Sequence, residues 1–127
     1  MATVTNTDLI TAYYDTWKNG IASFDEARLR GMLAPDFVYE GPIAGRRPGA
    51  DSFVRGLMAF VKTLKAVRML SELRVGNEAA FLYDCDVSQP AGTFRFAEFL
   101  RVDNAKIQEI RLVFDATEFR KLAAATN

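Results

Sequence analysis

The sequence predicts a single α+β domain: three N-terminal helices packed on a curved, mainly antiparallel sheet that encloses an apolar pocket. Three observations carry this reading. Apolar residues recur at helical spacing through the first half of the chain and alternate with period two through the second half. Turn-forming residues separate four alternating runs, which makes those runs consecutive hairpins. Ten Phe, four Tyr and one Trp in 127 residues supply the large rings that both a core and a ligand pocket use. Helices followed by strands is the α+β order, and 127 residues is one domain's length.

The first helix is expected from Asn6 to Lys18, capped by Thr7, with Leu9, Ile10, Tyr13 and Trp17 on one stripe. Asn19-Gly20 ends it. Ser23-Phe24-Asp25-Glu26 fits a capping box and starts a second helix that runs to about Leu33, where Pro35-Asp36 stops it. Phe37 to Glu40 reads as a short strand, and Gly41 to Gly49 as a loop of turn formers. A third helix spans about Ala50 to Lys65, with Phe53, Val54, Leu57, Phe60, Val61 and Leu64 on its buried face. Val67 to Val75, Ala79 to Val87, Thr93 to Val102 and Lys106 to Phe114 are the four strands. Gly76-Asn77, Gln89-Pro90-Ala91-Gly92 and Asp103-Asn104-Ala105 join them. The termini, about 1–6 and 122–127, read as loose.

Composition narrows the chemistry. Sixteen acidic residues balance sixteen basic ones, and no basic segment overlies an aromatic platform, so nucleic acid is not an expected partner. No apolar run is long enough to span a membrane. Residues 1–8 lack the marks of a signal peptide, so a cytoplasmic protein is expected. The chain has no histidine, which removes the commonest general base and most zinc and iron sites. Neither a metal nor a cofactor is expected. Cys85, the one cysteine, reads as a small buried hydrophobe.

Strand alternation sorts the sheet into two faces. Phe81, Tyr83, Cys85 and Val87, then Phe94, Phe96, Leu100 and Val102, then Ile110, Leu112 and Phe114 form the apolar, helix-facing side. Leu82, Asp84, Asp86, Arg95, Ala97, Phe99, Arg101, Glu109, Arg111 and Val113 form the other. Glu98 alone interrupts the apolar face. Burial among rings disfavours its charged form, so it either meets a donor or serves as an acid or base. An edge position reaching solvent or an arginine is the plain alternative. The pocket around Glu98 and Tyr13 is expected to be lined by Trp17, Phe37, Tyr39, Phe60, Phe96 and Leu112. Arg46-Arg47 could attract an anionic ligand, though a solvated loop is the simpler reading.

The order helix–helix–strand–helix–four strands resembles the cystatin-like, cone-shaped fold of nuclear transport factor, ketosteroid isomerase and SnoaL-like polyketide cyclases. Asn77-Glu78-Ala79-Ala80-Phe81, Glu98-Phe99-Leu100-Arg101-Val102 and Arg111-Leu112-Val113-Phe114 are similar to strand segments of the isomerase. The resemblance implies that Tyr13 donates to a developing oxyanion, with Tyr14 the alternative, and that Glu98 takes the place of a protonated aspartic acid beside it. It implies pocket-wall positions for Tyr83, Cys85 and Val87. The isomerase's general-base position is Gly41, and alternation points Glu40 away, so steroid isomerase activity is not implied. Dehydratases of the fold need histidines, and its epoxide hydrolases need a pocket arginine, whereas Arg95, Arg101 and Arg111 fall on the outer face. A SnoaL-like cyclase needs only one pocket carboxylate. The resemblance therefore implies a small apolar or polycyclic ligand and cyclase- or isomerase-type chemistry on Glu98 and Tyr13. A non-catalytic ligand-binding or dimerisation domain is the alternative. It also implies a homodimer joined through the sheet's outer face.

Overall fold

Period-two alternation after Leu64 builds most of the sheet. In the computed structural model, residues 6–89, 91–117 and 119–120 are described, with the backbone alone for 6–8. The Thr7 cap, the loose termini and Pro90 of the second turn lie outside that set. The elements are α1 (Asn6–Asp15), α2 (Glu26–Met32), β1 (Leu33–Gly41), β2 (Gly45–Pro48), α3 (Ala50–Val61), β3 (Leu64–Val75), β4 (Glu78–Ser88), β5 (Ala91–Asp103) and β6 (Lys106–Phe114). One sheet runs in the order β2-β1-β6-β5-β4-β3, with every neighbouring pair antiparallel except β1 and β6. The α+β cone is thus the fold of this chain.

The alternation sorts the faces as expected. Phe81, Tyr83, Cys85, Val87, Phe96, Leu100, Val102 and Ile110 are buried with Leu9, Ile10, Tyr13, Tyr14 and Trp17 of the first helical segment. Fully buried Leu29, Phe37, Val54, Val61 and Ile107 complete the core, so all three helices and both halves of the sheet contribute to it. Arg95, Phe99, Arg101, Arg111 and Val113 are exposed on the outer face.

Five of the boundaries differ from the expectation, each for a local reason. The first helix ends at Asp15, not Lys18, because Lys18 and Trp17 both bond back to the Tyr14 carbonyl in a turn. Ser23 does not cap the second helix. It sits in a one-turn 3₁₀ segment, Ile21–Ser23, and the cap is Asp25, whose carboxylate accepts from the Arg28 amide at 3.1 Å. The third helix stops at Val61, because the Thr63 carbonyl accepts from the Ser88 amide at 2.8 Å and draws the chain into the sheet. The expected loop 41–49 contains an edge strand, β2, hydrogen-bonded to β1 with Tyr39 opposite Arg47 and Glu40 opposite Arg46. Strand β1 begins at Leu33, ahead of the expected Phe37. Pro35 is tolerated there because the β1–β6 register breaks between Leu33 and Val38, where no ladder bond is lost.

Among the described residues, no helix is long and apolar enough to cross a membrane.

Candidate functional site

Glu98 enters the site because β5 must alternate. Phe96 and Leu100 point inward, so Glu98 does too, and it is 3% exposed. Three phenols donate to its carboxylate: Tyr13 to Oε2 at 2.9 Å, Tyr14 to Oε1 at 2.7 Å and Tyr83 to Oε1 at 3.1 Å. Tyr13 and Tyr14 are neighbours on α1, and Tyr83 stands on β4 beside the Phe96–Glu98 pleat. One carboxylate thus ties the first helix to two strands.

Burial raises the Glu98 pKa above the ordinary glutamate value, and the three phenolic donors oppose that shift by stabilising the anion. The same burial, with the negative charge of Glu98 beside them, pushes the Tyr13, Tyr14 and Tyr83 hydroxyls above their ordinary value. They remain phenols at any physiological pH. Tyr39 is pushed up to about 12 for the same two reasons, burial first.

Beside Glu98 lies a cavity of about 460 Å³. Tyr13, Trp17, Tyr39, Phe60, Tyr83, Phe96 and Leu112 line it with Glu98, as do Phe53, Gly56 and Leu57 of α3. Ile43, Ala44, Arg47, Ser52, Phe114 and Phe119 complete the wall. Tyr14 does not line the cavity; it supports Glu98 from behind, packed on Phe81 with ring centroids 4.8 Å apart.

Three expected wall residues lie elsewhere, Val87 among them, buried in the core near the end of β4. Phe37 shares the inner face with Tyr39, but Phe53 of α3 covers it at 5.2 Å between centroids and takes its place in the wall. Cys85 lies one pleat nearer the β4–β5 turn, opposite Phe94, and is fully buried in the core. Its thiol is pushed up to about 12, by burial before the nearby Glu98, which disfavours the thiolate.

The general-base position has a physical explanation. A Cβ at Gly41 would strike the Tyr39 phenol, which leans over Gly41 from two residues away on the same face. No side chain fits there while Tyr39 is in place. Among the described cavity-lining residues, Glu98 is therefore the sole carboxylate.

Sequence reasoning missed the hairpin's share of the wall and the donor roles of Tyr14 and Tyr83. Alternation placed Tyr83 correctly but gave no sign that its hydroxyl reaches Glu98. Arg47 was legible only as half of a basic pair. The β2 register sends it to the Tyr39 side, while Arg46 turns outward to Glu40 and Glu109, at 3.3 and 2.8 Å.

The comparisons agree with this fold. A protein from Kribbella flavida DSM 17836 is 28% identical, with a TM-score of 0.80 over 98% of each chain. An NTF2-like protein from Cytophaga hutchinsonii ATCC 33406 is 16% identical, with a TM-score of 0.76 over 94% of this chain and 97% of that one. A putative SnoaL-like polyketide cyclase from Jannaschia sp. CCS1 is 10% identical, with a TM-score of 0.77 over 98% of this chain and 96% of that one. A comparison with curated proteins finds no match. The SnoaL-like domain family matches residues 10–110, a span that holds Glu98 and all three of its tyrosine donors. On that match and that fold, the chain belongs to the SnoaL-like domain family.

Proposed function

We propose that this protein binds a small, mainly apolar carbonyl compound and moves a proton on it with Glu98 and Tyr13, as a cyclase- or isomerase-type enzyme. The observation that carries the reading is a carboxylate buried in the wall of an apolar cavity. As the anion, Glu98 accepts two phenols on Oε1 and one on Oε2, which leaves an acceptor position on Oε2 for a C–H proton. As the acid, it donates to the Tyr13 oxygen, and the Tyr13 proton is then free for a ligand oxygen. Removal of an α-proton by Glu98 leaves an enolate, whose oxygen Tyr13 stabilises. In a cyclase, the enolate carbon then bonds to a second carbonyl carbon of the same molecule. The resulting alkoxide takes back the proton through Glu98 and Tyr13.

Deuterium exchange at the α-carbon of β-tetralone in D₂O tests this reading. The wild-type protein is expected to speed exchange, and Glu98→Gln to abolish at least about a hundredfold of that acceleration while tetralone still binds. Exchange by Glu98→Gln at the wild-type rate would contradict a base role.

A second reading has its own observation. Three phenols already satisfy Glu98, which suits a structural tie inside a ligand carrier without chemistry. Binding of β-tetralone with no acceleration by the wild-type protein would favour it.

We further propose a homodimer through the outer sheet face. Leu73, Val75 and Val113 are 69, 78 and 58% exposed there, and Phe99 is 48% exposed. They border a groove with Glu78, Arg101, Glu109 and Arg111. An apolar patch ringed by balanced charge suits an isologous contact. Asp84 and Asp86 are not part of that complementarity, since Arg95 and Arg68 of their own chain hold them.

A further inference from the structure

The cavity wall carries two groups that acid–base chemistry on Glu98 leaves unused. One is Arg47. Its Nε donates to the Ala44 carbonyl at 2.9 Å, which anchors the guanidinium to a residue of the same wall. Among the described residues its Nη edge meets no carboxylate, in contrast to Arg46, which meets two. Among the described residues it is the sole cation lining the cavity. Ser52, in the first turn of α3, lines the cavity too and makes no hydrogen bond among the described side chains. Asp51, the nearest acid in sequence, is held by Arg30 and Arg55.

The other group is the Trp17 indole. Its Nε1 is a buried donor that makes no well-formed hydrogen bond among the described residues, although the Tyr13 hydroxyl lies close by, and Trp17 lines the cavity beside Tyr13. An unmet donor inside an apolar wall is unfavourable unless a ligand acceptor answers it.

Sheet topology separates Arg47 from Glu98. Arg47 on β2 and Glu98 on β5 are three strand spacings apart, roughly 14 Å measured across the sheet. A ligand that reaches both is therefore elongated, with apolar rings between two polar ends.

We propose that the ligand is a fused-ring carboxylic acid. Its carboxylate is held by the Arg47 fork and Ser52, its rings lie against Phe53, Phe60 and Phe96, and its inner oxygen accepts from Tyr13 and Trp17. This deepens the function proposed above and rests on it. Arginine's planar fork matches a carboxylate with two parallel hydrogen bonds, which a lysine cannot reproduce.

Calorimetric titration with β-naphthoate and with its methyl ester tests the assignment. The wild-type protein is expected to bind the acid about tenfold or more tightly than the ester. Arg47→Met should abolish that preference, and Arg47→Lys should keep part of it. Arg46→Met removes the same charge from the outer face and should leave the preference intact. Equal binding of acid and ester by the wild-type protein overturns the carboxylate assignment and leaves the apolar-ligand reading standing. So does a preference that survives Arg47→Met. Failure of both compounds to bind overturns the two together.

Discussion

Glu98 shows how a period-two pattern exposes a functional side chain. A carboxylate between Phe96 and Leu100 has no reason to alternate inward unless the fold supplies partners for it, and the fold supplies three phenols. Tyr13 was legible beside it through the first-helix stripe. The rest of the cluster was not, because neither strand period nor helix period reveals where a hydroxyl ends. Gly41 was legible as a missing base, but its physical cause appears only with the Tyr39 ring lying over it. Gly41→Ala should therefore cost about 1–3 kcal/mol by overpacking against that ring. In a Tyr39→Ala background the same change should cost less than about 1 kcal/mol, since the obstacle is gone. Urea unfolding of the four proteins gives the cycle. An equal cost in both backgrounds would place the strain elsewhere.

Among the elements, β4, β5 and β6 were placed within about two residues at each end, whereas α1 and α3 stop about three and four residues short of the expected ends. Leu64 fits a helical stripe and a strand alike, so periodicity could not say that α3 yields to β3 before it. The β2 segment is short, polar and rich in Gly and Pro, so it carries no strand pattern. Only its pairing with β1 makes it a strand, and that pairing puts Arg47 on the Tyr39 side, exposed at the edge of the cavity. The second helix offered two capping residues close together. The Ser23 box matched the motif, whereas Asp25 directly precedes the helix and accepts from the Arg28 amide. Asp25→Ala should cost about 1 kcal/mol in thermal or urea unfolding, and Ser23→Ala should be close to neutral. The reverse ranking would restore the box.

For the whole molecule, curvature around the helices leaves an open cavity on the inner face and an exposed apolar patch on the outer one. If that patch is a dimer interface, Phe99→Asp should yield a monomer by light scattering with the cavity intact. A wild-type protein that is already monomeric at micromolar concentration would refute the pairing. The inner face holds the account's central claim, an acid kept in an apolar cavity that a small molecule can enter. Its raised pKa fixes the sign of a pH effect. Between the unfolded glutamate value of about 4.3 and the folded value, the native state binds more protons than the unfolded one. Stability from this group is then present below that window and lost as pH rises through the folded value. The most direct measurement follows the Glu98 carboxyl carbon by NMR through a pH titration, with Glu98→Gln assigning the resonance, alone and with β-tetralone bound. The account predicts a midpoint above about 4.3 in the free protein and a further rise when the ligand displaces water. A midpoint at or below the ordinary glutamate value, unmoved by tetralone, would contradict it.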